Sequence, residues 1–353
     1  MPVNREKGEG KEKQGKKPAA PLRPSSSIIL LSPTNQVLLL HRVQTSSSFA
    51  SAHVFPGGNV SSFHDGPLPP PDDPAIHLDG PAYRLAAIRE TFEESGILLA
   101  KKQGRSGEQG LLHLPDDVRE EGRKQIHGNA IRFTEWLASH GGEPDVENLI
   151  PFTRWITPPG PPKRFTTQMY LYMLPLDLPQ QHGPALIPTP TPDGGVEHTA
   201  AAFDDAAAWL ARARAGDIVL FPPQFYLLHL PSAPSCSPSC GARRPQQQRR
   251  RRAGGDRAGT RMIAWADKAI SPAVLFARRR DGRVVLGLDK PGPELRGSGR
   301  GGDWERVVLV DFRGGVPRDV DVRAREEVLR EERESAEREG GGDREGEGEK
   351  AKL

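Results

Sequence analysis

The residues predict an α+β chain, and three observations carry that prediction. Apolar runs at Ser27–Ser32 and Val37–Val43 flank the polar turn Pro33-Thr34-Asn35-Gln36, a strand–turn–strand pattern. Ala82–Ser95 repeats Leu85, Ile88 and Phe92 at helical spacing and stops at Gly96, a natural C-terminal cap. Beyond it, strand-like and helix-like segments alternate as far as Phe312, separated by stretches rich in Pro, Gly, Ser and Arg.

Taken in order, residues 1–22 are rich in Lys, Glu and Gly and read as a disordered arm. The main domain is expected over 23–230. Val54-Phe55-Pro56-Gly57-Gly58 reads as a short strand ending in a glycine turn, and the Pro/Asp/Gly-dominated stretch 64–81 as an inserted loop. After the Ala82–Ser95 helix, Ile97-Leu98-Leu99 reads as a buried strand or turn. A single helix is expected over Ile126–His140, strands over Leu149–Ile156, Gln168–Leu176 and Thr199–Phe203, and an alanine-rich helix over Asp204–Ala215 ended by Gly216. Residues 231–260 collapse into Pro, Ser, Gln and Arg and read as a disordered insertion. Strand-like runs Val274–Ala277, Val284–Leu288 and Val307–Phe312 follow in an extension, 261–322, expected to add strands to the main sheet. Residues 323–353 read as a charged tail, with Arg323–Glu339 a solvated helix.

Composition narrows the function. Only 35% of the 353 residues are hydrophobic and 6% aromatic, while Gly (38) and Pro (35) are abundant, so much of the chain must be loop. The net charge is +3; its Lys/Arg clusters, in the first 24 residues and at Arg249–Arg252, lack interleaved aromatics and read as solvated tails rather than a nucleic-acid surface. RNA binding through Arg249–Arg252 stays open as a rival reading. Cys236 and Cys240 stand alone, too few for a structural zinc site or a disulfide framework, which fits a reducing compartment. No apolar run reaches the ~20 residues of a membrane span, and the charged N-terminus has no apolar core of a secretory signal.

The chemistry concentrates on one helix. With Glu90 as origin of a wheel turning about 100° per residue, Glu94 lies about 40° to one side and Glu93 about 60° to the other. Leu85, Ile88 and Phe92 occupy the opposite side. Three carboxylates within one turn repel one another unless cations are near. Hard divalent ions prefer such oxygen ligands and sit well beside phosphates. Arg89 is placed to pair with Glu93 at i, i+4. A solvated acidic face with an ordinary Arg/Glu pair is the plain alternative.

The string RETFEESGI at Arg89–Ile97 resembles the second half of the Nudix box, REUxEExGU with U aliphatic, Thr91 standing where an aliphatic is usual. Phe55-Pro56-Gly57-Gly58 resembles the glycine turn that opens the box. Gly58 and Arg89 are 31 positions apart, longer than the usual pattern, and the excess is assigned to Pro67–Pro81. A loop tolerates such an insertion because closure entropy grows slowly with length. Asp65 is the nearest substitute for the first glutamate of the box. The resemblance implies the Nudix α/β/α sandwich with a mixed sheet, Mg²⁺ or Mn²⁺ as cofactor, Glu90 and Glu94 with Glu93 as metal ligands, and Arg89 and Glu93 as catalytic residues. Gly57 and Gly58 would lie against substrate. Glu197 is weighed as a further acid against an exposed loop position.

TRWITPPGPPKRFTTQMYL at 153–171 and FPPQFYLL at 221–228 resemble segments of the peroxisomal coenzyme A diphosphatase branch. Of the separate coenzyme A motif ahead of FPGG, Arg42 fits one position and the rest is not matched. Lys163 and Arg164 are the basic candidates for a substrate phosphate. The terminal Ala351-Lys352-Leu353 resembles the Ser-Lys-Leu peroxisomal address, implying an import receptor as partner and the peroxisome as location. The expected reaction is hydrolysis of the diphosphate of coenzyme A or acyl-CoA. A diphosphatase for ADP-ribose, dinucleotides or nucleotide sugars, and a non-catalytic Nudix binding module, are the other readings.

Overall fold

The computed structural model describes residues 19–43, 50–104, 110–175, 190–191, 198–232 and 263–345. The expected insertion 231–260, the chain ends and Glu197 therefore lie largely or wholly outside the described residues.

The main sheet is mixed. β1 (Leu22–Leu31) runs parallel to β8 (Arg164–Met173) over its whole length, β7 (Ile150–Ile156) lies antiparallel to β8, and β10 (Ala269–Ile270) adds a parallel edge to β7. On the other side β2 (Val37–Arg42) pairs with β3 (His53–Val54) and β9 (His198–Asp204). β1 and β2 share the predicted turn, with Asn35 at φ 62°, but pair only at Leu31/Val37. The hairpin opens because β4 (Gly57–Asn59) takes β1's free edge at Ser25–Ser27. That substitution brings the glycine bend onto the sheet.

Strand alternation sorts the apolar residues into two cores. Ile28, Leu30, Leu38 and Leu40 face α1 (Pro81–Ser95), α2 (Asp116–His127) and α3 (Phe133–Ser139), through Ile88, Phe92, Ile126, Phe133 and Trp136. Ile29, Val37 and Leu39 face α4 (Ala206–Ala215) and α5 (Pro222–Ser232), through Trp209, Leu210 and Phe225. The result is the expected α/β/α sandwich. A small two-stranded sheet, β5 (Ala100–Lys102) with β6 (Gly142–Pro144), borders it.

Four expectations are corrected. The single helix over Ile126–His140 is two, because Gly128 ends α2 and Asn129 turns left-handed at φ 55°. The extension contributes only β10 to the main sheet. β11 (Ala273–Ala277), β12 (Val284–Leu288), β13 (Asp303–Arg313) and β14 (Val316–Ala324) form their own antiparallel sheet, whose Val308, Val310, Val320 and Val322 join the α4/α5 core. The charged segment after 322 completes β14 and forms α6 (Arg325–Glu345), which is not solvated all round: Val328 is buried against Val285, Val307 and Leu309. Order also begins before residue 23, since Leu22 opens β1.

Candidate active site

α1 begins at Pro81, whose missing N–H costs nothing in a first turn, and ends at Gly96, left-handed at φ 71° with its N–H on the Phe92 carbonyl. Between these ends Ile88 and Phe92 are fully buried and anchor one face, so the acids are presented from a fixed backbone.

Arg89 is the hub. Although only 4% exposed, it donates to Asp65 from Nε (2.9 Å) and Nη2 (2.8 Å), to Glu93 Oε1 from Nη1 (2.7 Å) and to the Asn59 carbonyl (3.1 Å), and its Nη2 lies 2.9 Å from Glu90 Oε1. Asp65 thus stands where the resemblance needed an acid, and it is 5% exposed. The boundary of the inserted loop moves accordingly. His64 and Asp65 belong to the packed domain, His64 Nε2 meeting Asn129 Oδ1 at 2.9 Å, and the excess chain starts after them.

The glycine bend closes over the acids. Gly57 N–H donates to Glu94 Oε2 at 2.8 Å. A Cβ on Gly58 would stand 2.5 Å from the Glu90 carboxyl carbon, so a side chain and that carboxyl group cannot share the space. Glu94 is buried, and buried His198 approaches its Oε1 at 3.7 Å. Glu93 accepts His127 Nδ1 at 3.3 Å from α2. The backbone carbonyl of Glu93 takes both Nε (3.0 Å) and Nη2 (2.8 Å) of buried Arg123, and Arg119 holds the Gly96 carbonyl at 3.0 Å. Cations at these last carbonyls suit the negative end of the helix.

Three acids therefore surround one guanidinium, with Glu94 beside them under the bend. Burial pushes the Glu90 carboxyl up to about 7; repulsion from Glu93 and Asp65 adds to this and the Arg89 charge opposes it. Such a cluster is relieved by further positive charge, and its donors are carboxylate oxygens, the chemistry a hard divalent cation requires. Glu90 and Glu94, on successive turns beneath Gly58 and Gly57, fit that role. Glu93, the third acid of the expected ligand trio, is held differently from the other two. Both its oxygens are engaged, by Arg89 and His127, and among the described residues no group of three or more His, Cys, Asp or Glu stands ready to hold a metal.

Arg164 is not at the site. It is 3% exposed, and its donors are taken by the carbonyls of Thr157 (3.1 Å), Pro158 (3.2 Å) and Ala20 (3.1 Å) and by Glu294 (2.5 Å). Its role is to tie the start of β8 to the chain's first described residues and to the extension. Lys163 beside it is half-buried. The sequence reading missed His127, Arg123, Arg119 and His198. The first three recur every fourth residue along 119–127, a pattern that marks one helix face; His198 carried no local signal.

Residues 72–230 match the family model described as the NUDT19 Nudix domain. A Caenorhabditis elegans protein named as a nudix hydrolase is 33% identical over 153 residues, covering 43% of this chain and 44% of its own. The acyl-coenzyme A diphosphatase NUDT19 of Gallus gallus is 29% identical over 236 residues, covering 55% and 60%. The chain thus spans about half the length of these curated relatives. Among solved structures, a NUDIX hydrolase from Alicyclobacillus acidocaldarius is 24% identical with a TM-score of 0.44, covering 60% of this chain and 91% of that one. With Asp65, Arg89, Glu90, Glu93 and Glu94 gathered near the glycine bend and residues 72–230 matching the NUDT19 Nudix model, the chain resembles the Nudix family and, within it, the acyl-coenzyme A diphosphatase relatives.

Proposed function

We propose that this protein hydrolyses the diphosphate bond of coenzyme A or acyl-CoA, releasing adenosine 3′,5′-bisphosphate and (acyl-)4′-phosphopantetheine. The observation that carries the proposal is the surplus of buried carboxylates around Arg89 beneath the Gly57–Gly58 bend. Glu90 and Glu94 would hold Mg²⁺ or Mn²⁺. When bound, such an ion offsets diphosphate charge and lowers the pKa of water that attacks phosphorus.

The chain's own contribution is positioning. Asp65 fixes Arg89 in two places, and Arg89 in turn fixes the carboxylates of Glu90 and Glu93. Gly57 fixes Glu94, and Gly58 leaves a gap beside Glu90 that any side chain would fill. Lys163 remains the basic candidate for a substrate phosphate; Arg164 is spent on structure. The coenzyme A substrate is favoured by the name of the Gallus gallus relative and by segments 153–171 and 221–228. Action in the peroxisome, through an import receptor, is favoured by the final Ala-Lys-Leu.

The test is incubation of the purified protein with coenzyme A, acetyl-CoA, ADP-ribose or a nucleotide sugar, each with Mg²⁺ or Mn²⁺, followed by chromatographic identification of both products. Cleavage of the coenzyme A compounds into the two named halves is the expected result. Preferential cleavage of ADP-ribose would overturn the substrate assignment. No cleavage of any diphosphate would overturn the enzymatic reading. A fluorescent fusion carrying or lacking residues 351–353 tests the location.

A further inference from the structure

We propose that His198 is a positioning residue for Glu94, aimed at it by a one-residue bulge in β9, and that this pairing sets the affinity of the site for a divalent cation. The inference rests on the reading of Glu94 as a cation ligand.

The strand register carries the argument. β9 pairs with β2 without interruption from Asp204/Val37 to Ala200/His41, and then skips a residue, so that Arg42 faces His198 and Thr199 is extra. In a regular strand successive side chains alternate between faces, and a one-residue slip moves a side chain to the other face. A bulge is how a strand re-aims one residue without losing its partner. This bulge is pinned: Thr199 Oγ1 meets His41 Nδ1 at 2.7 Å and the His41 carbonyl at 3.3 Å. Beyond the pin, His198 is completely buried with Nε2 3.7 Å from Glu94 Oε1, while Glu94 Oε2 accepts Gly57 N–H at 2.8 Å. Glu94 is thereby approached from two strands, by the Gly57 N–H of β4 and the His198 ring of β9, neither of them part of its own helix.

The contrast with Glu93 sharpens the point. Its histidine, His127, has a side chain 54% exposed, whereas that of His198 is 0% exposed. Only the second is built to hold an acid in one orientation. Outer partners of this kind typically alter metal affinity about 10–100-fold when removed.

The experiment is a titration of the full-length protein with Mn²⁺, reading free Mn²⁺ by electron paramagnetic resonance, with melting followed in EDTA as a check on folding. His198→Ala should weaken Mn²⁺ binding about 10–100-fold. His198→Gln, which keeps a side-chain donor, should recover most of it. Thr199→Val removes the pin at the strand edge, leaves the buried histidine in the chain, and should weaken binding several-fold in the same direction. In a Glu94→Gln background, His198→Ala should add nothing. Unchanged Mn²⁺ affinity in His198→Ala and Thr199→Val, alongside a clear loss in Glu94→Gln, overturns the proposal alone. A parent protein that binds no Mn²⁺, or whose binding survives Glu94→Gln, overturns the cation-site reading as well.

Discussion

Two arginines, Arg89 and Arg154, are buried to nearly the same degree, yet the protein treats their charges in opposite ways. Burial, the largest single influence on each, works against a guanidinium charge. Around Arg89 the carboxylates of Glu90, Asp65 and Glu93 together outweigh it and hold the side chain charged. Around Arg154 the compensation is weaker and the pKa falls. Its guanidinium lies 4.5 Å from the Tyr83 ring centre and donates to Thr166 Oγ1 (3.1 Å) and the Leu78 carbonyl (2.8 Å). One site carries more negative charge than its arginine needs, and the other meets its charge with a ring face and two oxygen dipoles, leaving Nε without a hydrogen bond among the described residues. The two also clamp the same loop, Asp65 at its start on Arg89 and Leu78 near its end on Arg154. A surplus of acid suits a cation-binding centre, whereas a dipole-matched cation suits a structural bolt.

The largest effect should come from removing charge in the acid cluster beside the first arginine. Glu94→Gln, or Glu90→Gln, is expected to lower turnover of the cleaved diphosphate at least about 10³-fold, roughly 4 kcal/mol of transition-state stabilisation. Thermal stability should hold or rise slightly, because like-charge repulsion is relieved. Steady-state kinetics beside a melting curve checks both halves; a variant that keeps its turnover would erase the distinction between the two arginines. At the bolt the pattern should invert. Arg154→Ala should cost about 3 kcal/mol in denaturant unfolding, by leaving a cavity and unpaired polar groups. Its kcat should stay near the parent's at temperatures where the variant is folded. Arg154→Met, closer in volume, should lose less.

Between these lies Gly58→Ala. Its new Cβ would meet the Glu90 carboxyl group, and shifting that group by even 1 Å should cost about 10²-fold in kcat. The Mn²⁺ titration should weaken in parallel, and stability should change by less than for Arg154→Ala.

The acid-bearing helix was legible in the sequence because everything that defines it is local: Ile88 and Phe92 at helical spacing, three acids on the other side, and Gly96 as a cap. The glycine bend and Asp65 were legible through their order along the chain. What was hidden depends on partners distant in sequence. Nothing near Ser25–Ser27 says that Gly57–Asn59 will displace β2 from that edge. Nothing near Thr199 says that His41, 158 positions away, will pin a bulge and turn His198 inward. Arg164 looked like a phosphate ligand because charged residues are usually exposed; its ion pair with Glu294, 130 positions on, reverses that expectation. α2 was overlooked because it is strongly polar, and its contribution is three donors facing α1 rather than an apolar stripe.

The smallest expected effect is the pH dependence that His77 contributes at the Arg154 end of the loop. His77 lies there with Nδ1 3.0 Å from Thr166 Oγ1, and burial, reinforced by the Arg154 charge, lowers its pKa to about 4. In the unfolded chain an imidazole titrates near about 6.5. Between those values the unfolded state binds the extra proton, so stability is complete above pH ~6.5 and falls as pH drops toward 4. The loss attributable to His77 should be on the order of 1–2 kcal/mol, measured as the difference between parent and His77→Asn unfolding at pH 7 and pH 5. Limited proteolysis should register the same event as faster cleavage within residues 66–80 at pH 5, with the Asn variant less sensitive to pH than the parent. Since Arg89 is held charged across this range, the loop should loosen from its Leu78 end first. Cleavage that instead began beside Asp65 would mean that the acid-rich arginine, not the dipole-matched one, is the weaker clamp.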